Sequence, residues 1–323
     1  MIVNDIIDKI KSSKKIAITF HVSPDGDSIG SSLGFLCGLK SIKKDVYILC
    51  KEKLPDSFEF LPNASEITGE NVSISEDTDL LITLDCGDVE RLNYEKDDDE
   101  FKNRSYFVIN IDHHLTNKSF GNLNYVDTKA SSVGEIVYHF LKEMNIDISK
   151  EIAACLYTSL LTDTGSFRHS NTTKTTHLIA GELISTGIDF SEIHRRIFDN
   201  KKFEALKLQA LVLNNMYLTC NNKLCVMKVT KAMIDEAGAD EADTGDLVSI
   251  GLKVNTAEVC VLLKEKNDIV KLSLRSKADV DVRKIAEKFD GGGHTKAAGL
   301  AMEKSIEEAE KIIVSEIEKE LIK

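Results

Sequence analysis

Residues 15–27 read KIAITFHVSPDGD, and this stretch predicts more of the fold than any other. Its first half is an apolar run ending at His21, which indicates a buried strand. Its second half contains Pro24 and Gly26, which favour a tight turn, and a helical pattern follows from Ser28 to Lys40. A continuous apolar strand followed by a helix is typical of a parallel sheet that is covered on both faces.

The same alternation continues along the first half of the chain. Further strands are predicted at 45–50, 79–86 and 106–111, and further helices at 132–144 and 152–161. We therefore predict an α/β fold with an N-terminal parallel sheet and helices on both faces. In such sheets the ligand site lies beyond the carboxyl ends of the strands.

The pattern changes in the second half of the chain. A charged helical segment at 188–215 predicts a connector, so the expected domains are 1–187 and 216–323. Beyond the connector, strands and helices follow in an order typical of a smaller α+β domain. The predicted strands are 224–229, 258–264, 270–274 and 297–302, with a hairpin turn at Asn267-Asp268, and the predicted helices are 280–289 and 305–321.

Composition limits the classes of function. The chain has 323 residues, of which 42% are apolar and 29% charged, as expected for a globular protein with two cores. The net charge of −12 argues against binding of long duplex nucleic acid, because phosphate contacts need a basic surface. A small phosphorylated substrate is compatible with this charge, since a metal centre and a few Lys or Arg can neutralise it.

The sequence also carries an expectation about the compartment. No apolar stretch is long enough to span a membrane, and the first residues lack the order of a signal peptide. The seven cysteines are an odd number, which favours reduced thiols. We therefore expect a cytoplasmic protein with no membrane partner.

Asp and His residues collect where the predicted strands end. His21, Asp25 and Asp27 follow the first strand, and Asp85 closes an apolar run at 80–84. Carboxylate oxygens and imidazole nitrogens together suit Mn(II), Mg(II), Fe(II) or Co(II) better than a metal that prefers thiolates. The simpler alternatives, a solvated turn after His21 and a helix cap at Asp85, stay open at this point.

Asp112, His113 and His114 follow the apolar run at 107–111 and are a sharper signal. Neighbouring residues of an extended segment point to opposite sides. We therefore expect one His to bind metal and the other to face substrate, with Asp112 orienting a ring. Asp163, after the apolar helical run, is an ordinary helix terminus when taken alone and a further ligand candidate in this company.

The metal candidates share a position at the end of an apolar run, and one of them, Asp85, could give one oxygen to each of two ions. Such a centre makes hydroxide from bound water and holds the attacking and leaving oxygens of a phosphoryl transfer. The six candidates are His21, Asp25, Asp27, Asp85, His113 and Asp163.

The C-terminal half contains groups that fit the same chemistry. Gly291, Gly292 and Gly293 offer backbone N–H groups without Cβ hindrance, which suits phosphate binding. His294 and Arg275 could bind phosphate oxygens, the arginine in a two-pronged way. A plain loop is the simpler interpretation of the glycine triplet.

These motifs resemble those of a known family. HxxxDxD at 21–27, Asp85, the DHH triplet at 112–114 and Asp163 resemble the four motifs of the DHH phosphoesterases. GGGHxxAAG at 291–299 resembles the signature of the DHH-associated C-terminal domain, and the length and domain order are most similar to the nanoRNase A type. Members of that type are oligoribonucleases that also dephosphorylate 3′-phosphoadenosine 5′-phosphate (pAp).

The resemblance implies a role for each candidate residue. His114 would act on the scissile phosphate as a catalytic residue together with Asp112, and Arg275 and Ser276 would bind substrate with the residues of the glycine motif. Two divalent ions, expected to be Mn(II), would be held by His21, Asp25 and Asp85 and by Asp27, Asp85, His113 and Asp163. The substrate-binding set would be Arg275, Ser276, Gly291, Gly292, Gly293 and His294.

The expected function is hydrolysis of short oligoribonucleotides and pAp through a metal-bridging hydroxide. A cyclic di-AMP or pApA phosphodiesterase of the same family is the alternative. A DHH-type pyrophosphatase is less favoured, because the chain lacks the Arg-Lys-Lys element of that group, and an intact ligand set argues against a non-catalytic nucleotide-binding module. The motifs leave the substrate preference, the cleavage polarity and the formation of a homodimer open.

Overall fold

Two compact units make up the chain. The computed structural model describes residues 2–244, 247–267, 269–277 and 279–322. The first unit comprises residues 1–200 and the second residues 201–323, so the division falls inside the segment 188–215 that was predicted to be a connector. In the described residues, no helix combines the length and the apolar character that crossing a membrane requires.

A sheet of five parallel strands forms the centre of the first unit. Its strands are β1 (Lys15–Thr19), β2 (Asp45–Ile48), β3 (Leu80–Leu84), β4 (Phe107–Asp112) and β5 (Leu123–Val126), and its helices are α1 (Ile2–Ser12), α2 (Gly26–Ser41), α3 (Asp98–Lys102), α4 (Val133–Glu143), α5 (Lys150–Asp163), α6 (Lys174–Ser185) and α7 (Phe190–Phe198). The strand order is β2-β1-β3-β4-β5. The predicted α/β fold with a parallel sheet is therefore confirmed.

The two faces of this sheet are covered differently. Successive residues of β1 point to opposite faces. Ile16 and Ile18 belong to the core that also contains residues of α1, α2, α4 and α5, whereas Ala17 belongs to a smaller core that contains Phe101 of α3. The edge strand β5 was not predicted. All four of its residues are only half-buried, so no continuous apolar run marks it in the sequence.

Helices α2 and α5 approach each other at backbone distance. A Cβ atom on Gly30 of α2 would lie 2.5 Å from Cys155 O and 2.8 Å from Ser159 N, both backbone atoms of α5. Gly30 therefore serves the packing of α2 on α5. This packing matters for the site, because Asp27 lies in the first turn of α2 and Asp163 is the last residue of α5.

The second unit contains a six-stranded mixed sheet. Its strands are β6 (Tyr217–Thr219), β7 (Leu224–Val229), β8 (Val259–Lys266), β9 (Ile269–Ser276), β10 (Gly292–His294) and β11 (Ala297–Met302), and its helices are α8 (Phe203–Asn214), α9 (Lys231–Ala237), α10 (Leu247–Gly251), α11 (Val282–Glu287) and α12 (Ile306–Leu321). The order is β10-β11-β9-β8-β7-β6, and only β7 and β8 pair in parallel. Helices α11 and α12 cover one face, and α8, α9 and α10 cover part of the other.

The glycine triplet is not the plain loop that the simpler interpretation suggests. Gly292–His294 forms the edge strand β10, which pairs antiparallel with β11. Strands β8 and β9 pair up to Lys266 and Ile269, which agrees with a hairpin at this point. The predicted turn Asn267-Asp268 itself lies partly outside the described residues, since Asp268 is not among them.

Candidate metal centre

The parallel sheet brings the predicted ligands together at one edge. His21 lies just beyond β1, Asp85 directly follows β3, and His113 directly follows β4. Strands β1, β3 and β4 are neighbours in the sheet and parallel, so their carboxyl ends lie side by side. The turn after β1 and the end of α5 add the remaining carboxylates to the same edge.

Among the described residues, three groups of side chains have ligand atoms that lie within 4.8 Å of one another. One consists of Asp85, His113 and His114, and the other two divide the six predicted ligands between them. The first of these two, called here the His21 group, consists of His21, Asp25 and Asp85. Its His21 Nε2 lies 3.4 Å from Asp85 Oδ2 and 3.8 Å from Asp25 Oδ2. All three members were predicted to bind metal.

The second, called the His113 group, consists of Asp27, His113 and Asp163. His113 Nε2 lies 3.7 Å from Asp27 Oδ2 and 3.9 Å from Asp163 Oδ2. The same nitrogen lies 3.7 Å from Asp85 Oδ1. Asp85 thus directs one oxygen to each group, Oδ2 to His21 and Oδ1 to His113, as a bridging carboxylate requires.

Asp85 is buried, and one of its carboxylate oxygens has no hydrogen-bond partner among the described residues. Its φ of 54° is left-handed, and its N–H donates to Ile111 O at 3.1 Å. The side chain is 2% exposed, and within the described residues its Oδ1 has no hydrogen-bond partner. A buried carboxylate oxygen without a donor is costly. Divalent ions bound by the surrounding oxygens and imidazoles would satisfy it, so the residues present fit a metal centre.

Asp27 is anchored by the N-terminus of α4. Its Oδ2 accepts a hydrogen bond from Val133 N at 2.8 Å, and its Oδ1 accepts from Gly134 N at 3.2 Å and from Ser159 Oγ at 2.5 Å. Free N–H groups at a helix N-terminus stabilise negative charge. These anchoring groups were not predicted, because two of them are backbone atoms and carry no signal in the sequence.

Backbone carbonyls orient the two imidazoles of the metal groups. His21 Nδ1 lies 2.9 Å from Val22 O, and His113 Nδ1 lies 3.2 Å from Ala130 O. A proton on Nδ1 is held by these carbonyls, which leaves Nε2 of each ring as the atom that could bind a metal ion.

His114 has a different partner from His113. Its Nδ1 lies 2.8 Å from Asp112 Oδ1, and its side chain is 36% exposed whereas that of Asp112 is fully buried. Burial acts to raise the pKa of Asp112, but the hydrogen bonds and charge of His114 bring the pKa below its ordinary value. The hydrogen bond that His114 donates to Asp112 raises the pKa of His114 in turn. The two histidines thus have different hydrogen-bond partners, but they do not point to opposite sides as expected, because β4 ends at Asp112. Their ring centroids lie 4.8 Å apart, and His113 Nε2 and His114 Nδ1 lie 3.7 and 3.5 Å from Asp85 Oδ1.

The electrostatics of the centre without ions show how strongly its carboxylates repel each other. Burial and the charges of Asp85 and Asp163 raise the pKa of Asp27 well above its ordinary value. Burial likewise raises the pKa of Asp163 to about 6, against the effect of His113. Although burial acts to lower it, the pKa of His21 rises to about 10 through the nearby carboxylates of Asp25 and Asp85. Without ions, the centre therefore retains protons at neutral pH.

We expect Mn(II) binding to the metal-free protein at pH 7 to release protons. His21 is protonated below its pKa of about 10 and must lose that proton to become a ligand. Asp163 takes up a proton as the pH falls through about 6, so the apparent affinity should decrease in that range and increase as the pH rises. Calorimetric titration in two buffers of different ionisation enthalpy measures the proton release. An apparent Mn(II) affinity that is constant from pH 5 to 8 would contradict the prediction.

Two of the predicted residues of the second unit, Arg275 and His294, lie on the same face of its sheet. Arg275 and His294 are both in register with Ala297 of the strand between them, so their side chains point to the same face. Arg275 is half-buried, and its guanidinium donates to Leu274 O at 3.0 Å. No carboxylate among the described residues pairs with it, which suits a group that binds an external anion.

The other members of the predicted substrate-binding set have structural contacts. The buried hydroxyl of Ser276 donates to Val280 O at 2.8 Å. A Cβ atom on Gly291 would lie 2.4 Å from Gly299 O, and one on Gly293 would lie 2.4 Å from Ala297 O. Both glycines are thus required by the close packing of β10 on β11. Gly292, by contrast, has no atom within 4 Å of its Cβ position.

Two family models match this chain, one in each of its two units. Residues 15–160 match the DHH family, N-terminal domain, and residues 221–323 match the DHHA1 domain. The bifunctional oligoribonuclease and PAP phosphatase NrnA of Thermus thermophilus is 33% identical, over 89% of this chain and 84% of the relative. A probable NrnA of Streptococcus mutans is 31% identical, over 91% of each chain.

A solved structure supports the fold over nearly the whole chain. The crystal structure of an exopolyphosphatase-related protein from Bacteroides fragilis has a TM-score of 0.90 at 30% identity, over 98% of this chain and 96% of the other. Together with the clustered carboxylates and imidazoles, these matches define a metal-dependent phosphoesterase. The chain belongs to the DHH family, with a DHHA1 domain in its second unit, so the family resemblance drawn from the motifs is confirmed.

Proposed function

We propose that this protein hydrolyses phosphoester bonds of short oligoribonucleotides and pAp at a centre of two divalent ions. The observation that carries the proposal is the position of Asp85, whose two oxygens are directed to separate groups of ligands. The His21 group would hold one ion, and the His113 group would hold the other, with Asp85 shared. Oxygen and imidazole donors favour Mn(II), with Mg(II), Fe(II) and Co(II) as alternatives.

The protein residues have distinct tasks in this proposal. When bound, two ions supply an activated water and neutralise charge on the phosphoryl group. Asp27 keeps its position through the N-terminus of α4, which leaves Oδ2 directed to His113. His114, held by Asp112 through Nδ1, has Nε2 available to donate a hydrogen bond to a phosphate oxygen. Such a donor stabilises the charge that develops in the transition state.

Substrate binding is proposed for the exposed part of the sheet in the second unit. Arg275 provides a guanidinium without a carboxylate partner among the described residues, and His294 is exposed on the same face. These two groups suit the phosphates or the base edge of a nucleotide. Ser276, Gly291, Gly292 and Gly293 are proposed to shape this surface, because the Ser276 hydroxyl is bonded to Val280 O and the glycines at 291 and 293 pack closely against β11.

The substrate class is proposed from the names of the relatives and from charge. Both NrnA proteins are named as oligoribonuclease and PAP phosphatase. A net charge of −12 agrees with a small substrate that is bound in a metal pocket, and it disfavours a long duplex. We propose that the enzyme acts in the cytoplasm on such small molecules.

A turnover panel tests the proposal. Purified protein would be incubated with pAp, RNA of two to five nucleotides, pApA, cyclic di-AMP, pyrophosphate and polyphosphate, each with Mn(II) and with Mg(II). We expect hydrolysis of pAp and of the shortest RNA, with loss of activity after chelation and recovery on adding Mn(II). Preferred cleavage of cyclic di-AMP would favour the alternative substrate, and cleavage of pyrophosphate or polyphosphate alone would overturn the proposal.

A further inference from the structure

Two asparagines, Asn110 and Asn117, form a hydrogen-bonded pair beside the candidate metal centre. Asn117 Nδ2 donates to Asn110 Oδ1 at 2.8 Å. Asn110 lies in β4 and is fully buried, whereas Asn117 lies in the loop after β4 and is half-buried. Neither was singled out by the sequence, because a lone Asn has no motif of its own.

Asn110 connects this pair to the turn that carries Asp85. Its Nδ2 donates to Thr83 Oγ1 and to Cys86 O, both at 2.9 Å. These two atoms flank Asp85, whose φ of 54° is left-handed. A second link comes from Lys118 N, which donates to Gly87 O at 2.9 Å. The loop with Asn117 is therefore tied to the turn after β3.

Asn117 connects the pair to Asp112 and, through it, to His114. The same Nδ2 that donates to Asn110 also donates to Asp112 Oδ2 at 2.5 Å. The other oxygen, Oδ1, accepts from His113 N and lies 2.8 Å from His114 Nδ1. Both oxygens of the carboxylate are thus occupied, so Asp112 has one orientation in which it can hold the His114 ring.

We propose that Asn110 and Asn117 are positioning residues that fix the ring of His114 relative to Asp85. This inference rests on the proposed phosphoesterase function, in which His114 contacts the phosphate and Asp85 is shared by the ions. Asn117 acts on the ring through Asp112. Among the described residues, its side chain is hydrogen-bonded to Asn110, Asp112 and Ser119 and to no member of the His21 or His113 group. The distance between His114 Nδ1 and Asp85 Oδ1, 3.5 Å, is the quantity that the amide pair maintains.

The amide of Asn117 keeps the buried Asp112 carboxylate from rotating. Without the amide of Asn117, Asp112 Oδ2 would be a buried oxygen with no donor, and rotation about its side chain would seek one. The hydrogen bond from His114 Nδ1 would then weaken, and the ring would lose its fixed orientation. Residues that orient a catalytic ring in this way typically account for about 10- to 100-fold in activity.

A double-mutant cycle separates positioning of His114 from a general structural role. Asn117→Ala is expected to lower kcat for pAp by about 10- to 100-fold, with KM changed by less than about threefold. In the His114→Ala background the same substitution should change kcat by less than about twofold, because its target is gone. Equal losses in both backgrounds, or no loss in the wild-type background, would overturn the inference.

Asn124→Ala is the matched control. Asn124 is half-buried in β5, and its amide makes two hydrogen bonds to the backbone of Gly121, neither of which involves a predicted metal ligand. Its removal should leave kcat unchanged while costing a similar number of hydrogen bonds. Manganese content should stay at the wild-type value in both variants, and a lower content in Asn117→Ala would assign the residue to metal binding instead.

A spectroscopic measurement tests the inference even if none of the substrates is cleaved. In metal-free protein with ¹⁵N-labelled histidine, the proton on His114 Nδ1 should give a downfield signal because it is donated to Asp112. The signal is assigned by its absence in His114→Ala. We expect it to be lost or shifted in Asn117→Ala and retained in Asn124→Ala. An unchanged signal in Asn117→Ala would show that Asp112 holds the ring without help. Absence of all hydrolysis by the wild type would count against the proposed function alone.

Discussion

Replacement of Asp85 by asparagine is expected to abolish turnover almost completely. Its two oxygens are directed to His21 and to His113, so one substitution weakens both proposed ion sites. Metal ions contribute several kcal/mol to transition-state stabilisation, and about 1.4 kcal/mol corresponds to a tenfold change in rate. We therefore expect kcat for pAp to fall by roughly a thousandfold or more, measured with saturating Mn(II).

The stability of the same variant should move in the opposite direction. Asn tolerates the left-handed φ that residue 85 adopts, and the substitution removes a charge that repels Asp27 and Asp163. The melting temperature of the metal-free variant should thus equal or exceed that of the wild type, whereas the rise in melting temperature on adding Mn(II) should be lost. Asp77→Asn, at an exposed partner of Lys15, is the control and should retain activity. Full activity of Asp85→Asn would exclude the shared-carboxylate centre.

Gly30→Ala is expected to destabilise the first unit markedly. Exchanging Gly for Ala within a helix normally stabilises it by about 1 kcal/mol. Here the added methyl would lie 2.5 Å from Cys155 O and 2.8 Å from Ser159 N, and α5 would have to move. Overpacking of this kind costs about 1–3 kcal/mol. Urea denaturation followed by circular dichroism should show that decrease in the free energy of unfolding, with activity also reduced because Ser159 binds Asp27.

Gly181→Ala provides the matched comparison. Gly181 lies within α6, and its Cβ position has no atom within 4 Å. The same chemical change should therefore stabilise the protein by up to about 1 kcal/mol, with no effect on turnover. If Gly30→Ala and Gly181→Ala shift the unfolding midpoint in the same direction, the close approach of α2 and α5 does not constrain the fold.

Much of the candidate site was predictable because it follows strand ends. The apolar runs before His21, Asp85 and Asp112 each predict a buried strand, and parallel strands collect their carboxyl ends at one edge. Candidate ligands that directly follow such strands are therefore expected to lie close together. The edge strand β5 could not be predicted from hydrophobic patterning, because its residues are only half-buried and form no continuous apolar run.

Other features depend on partners that are distant in sequence. The donors to Asp27 at Val133 and Gly134 lie more than a hundred residues away, and both are backbone N–H groups. The glycine triplet has the composition of a loop, but pairing with β11 makes Gly292–His294 a strand. The local sequence indicates only which secondary structure a segment favours. Whether the segment becomes a strand depends on the second segment with which it pairs.

The α/β class, the Asp and His candidates at the strand ends and the family could all be inferred from the sequence, because hydrophobic periodicity and closely spaced Asp and His residues are local properties. The packing of Gly30 on α5, and the amide pair that links the turn at Asp85 to Asp112, could be found only in the folded chain. Hydrogen bonds and van der Waals contacts act over a few ångströms, between atoms that folding brings together from distant parts of the sequence.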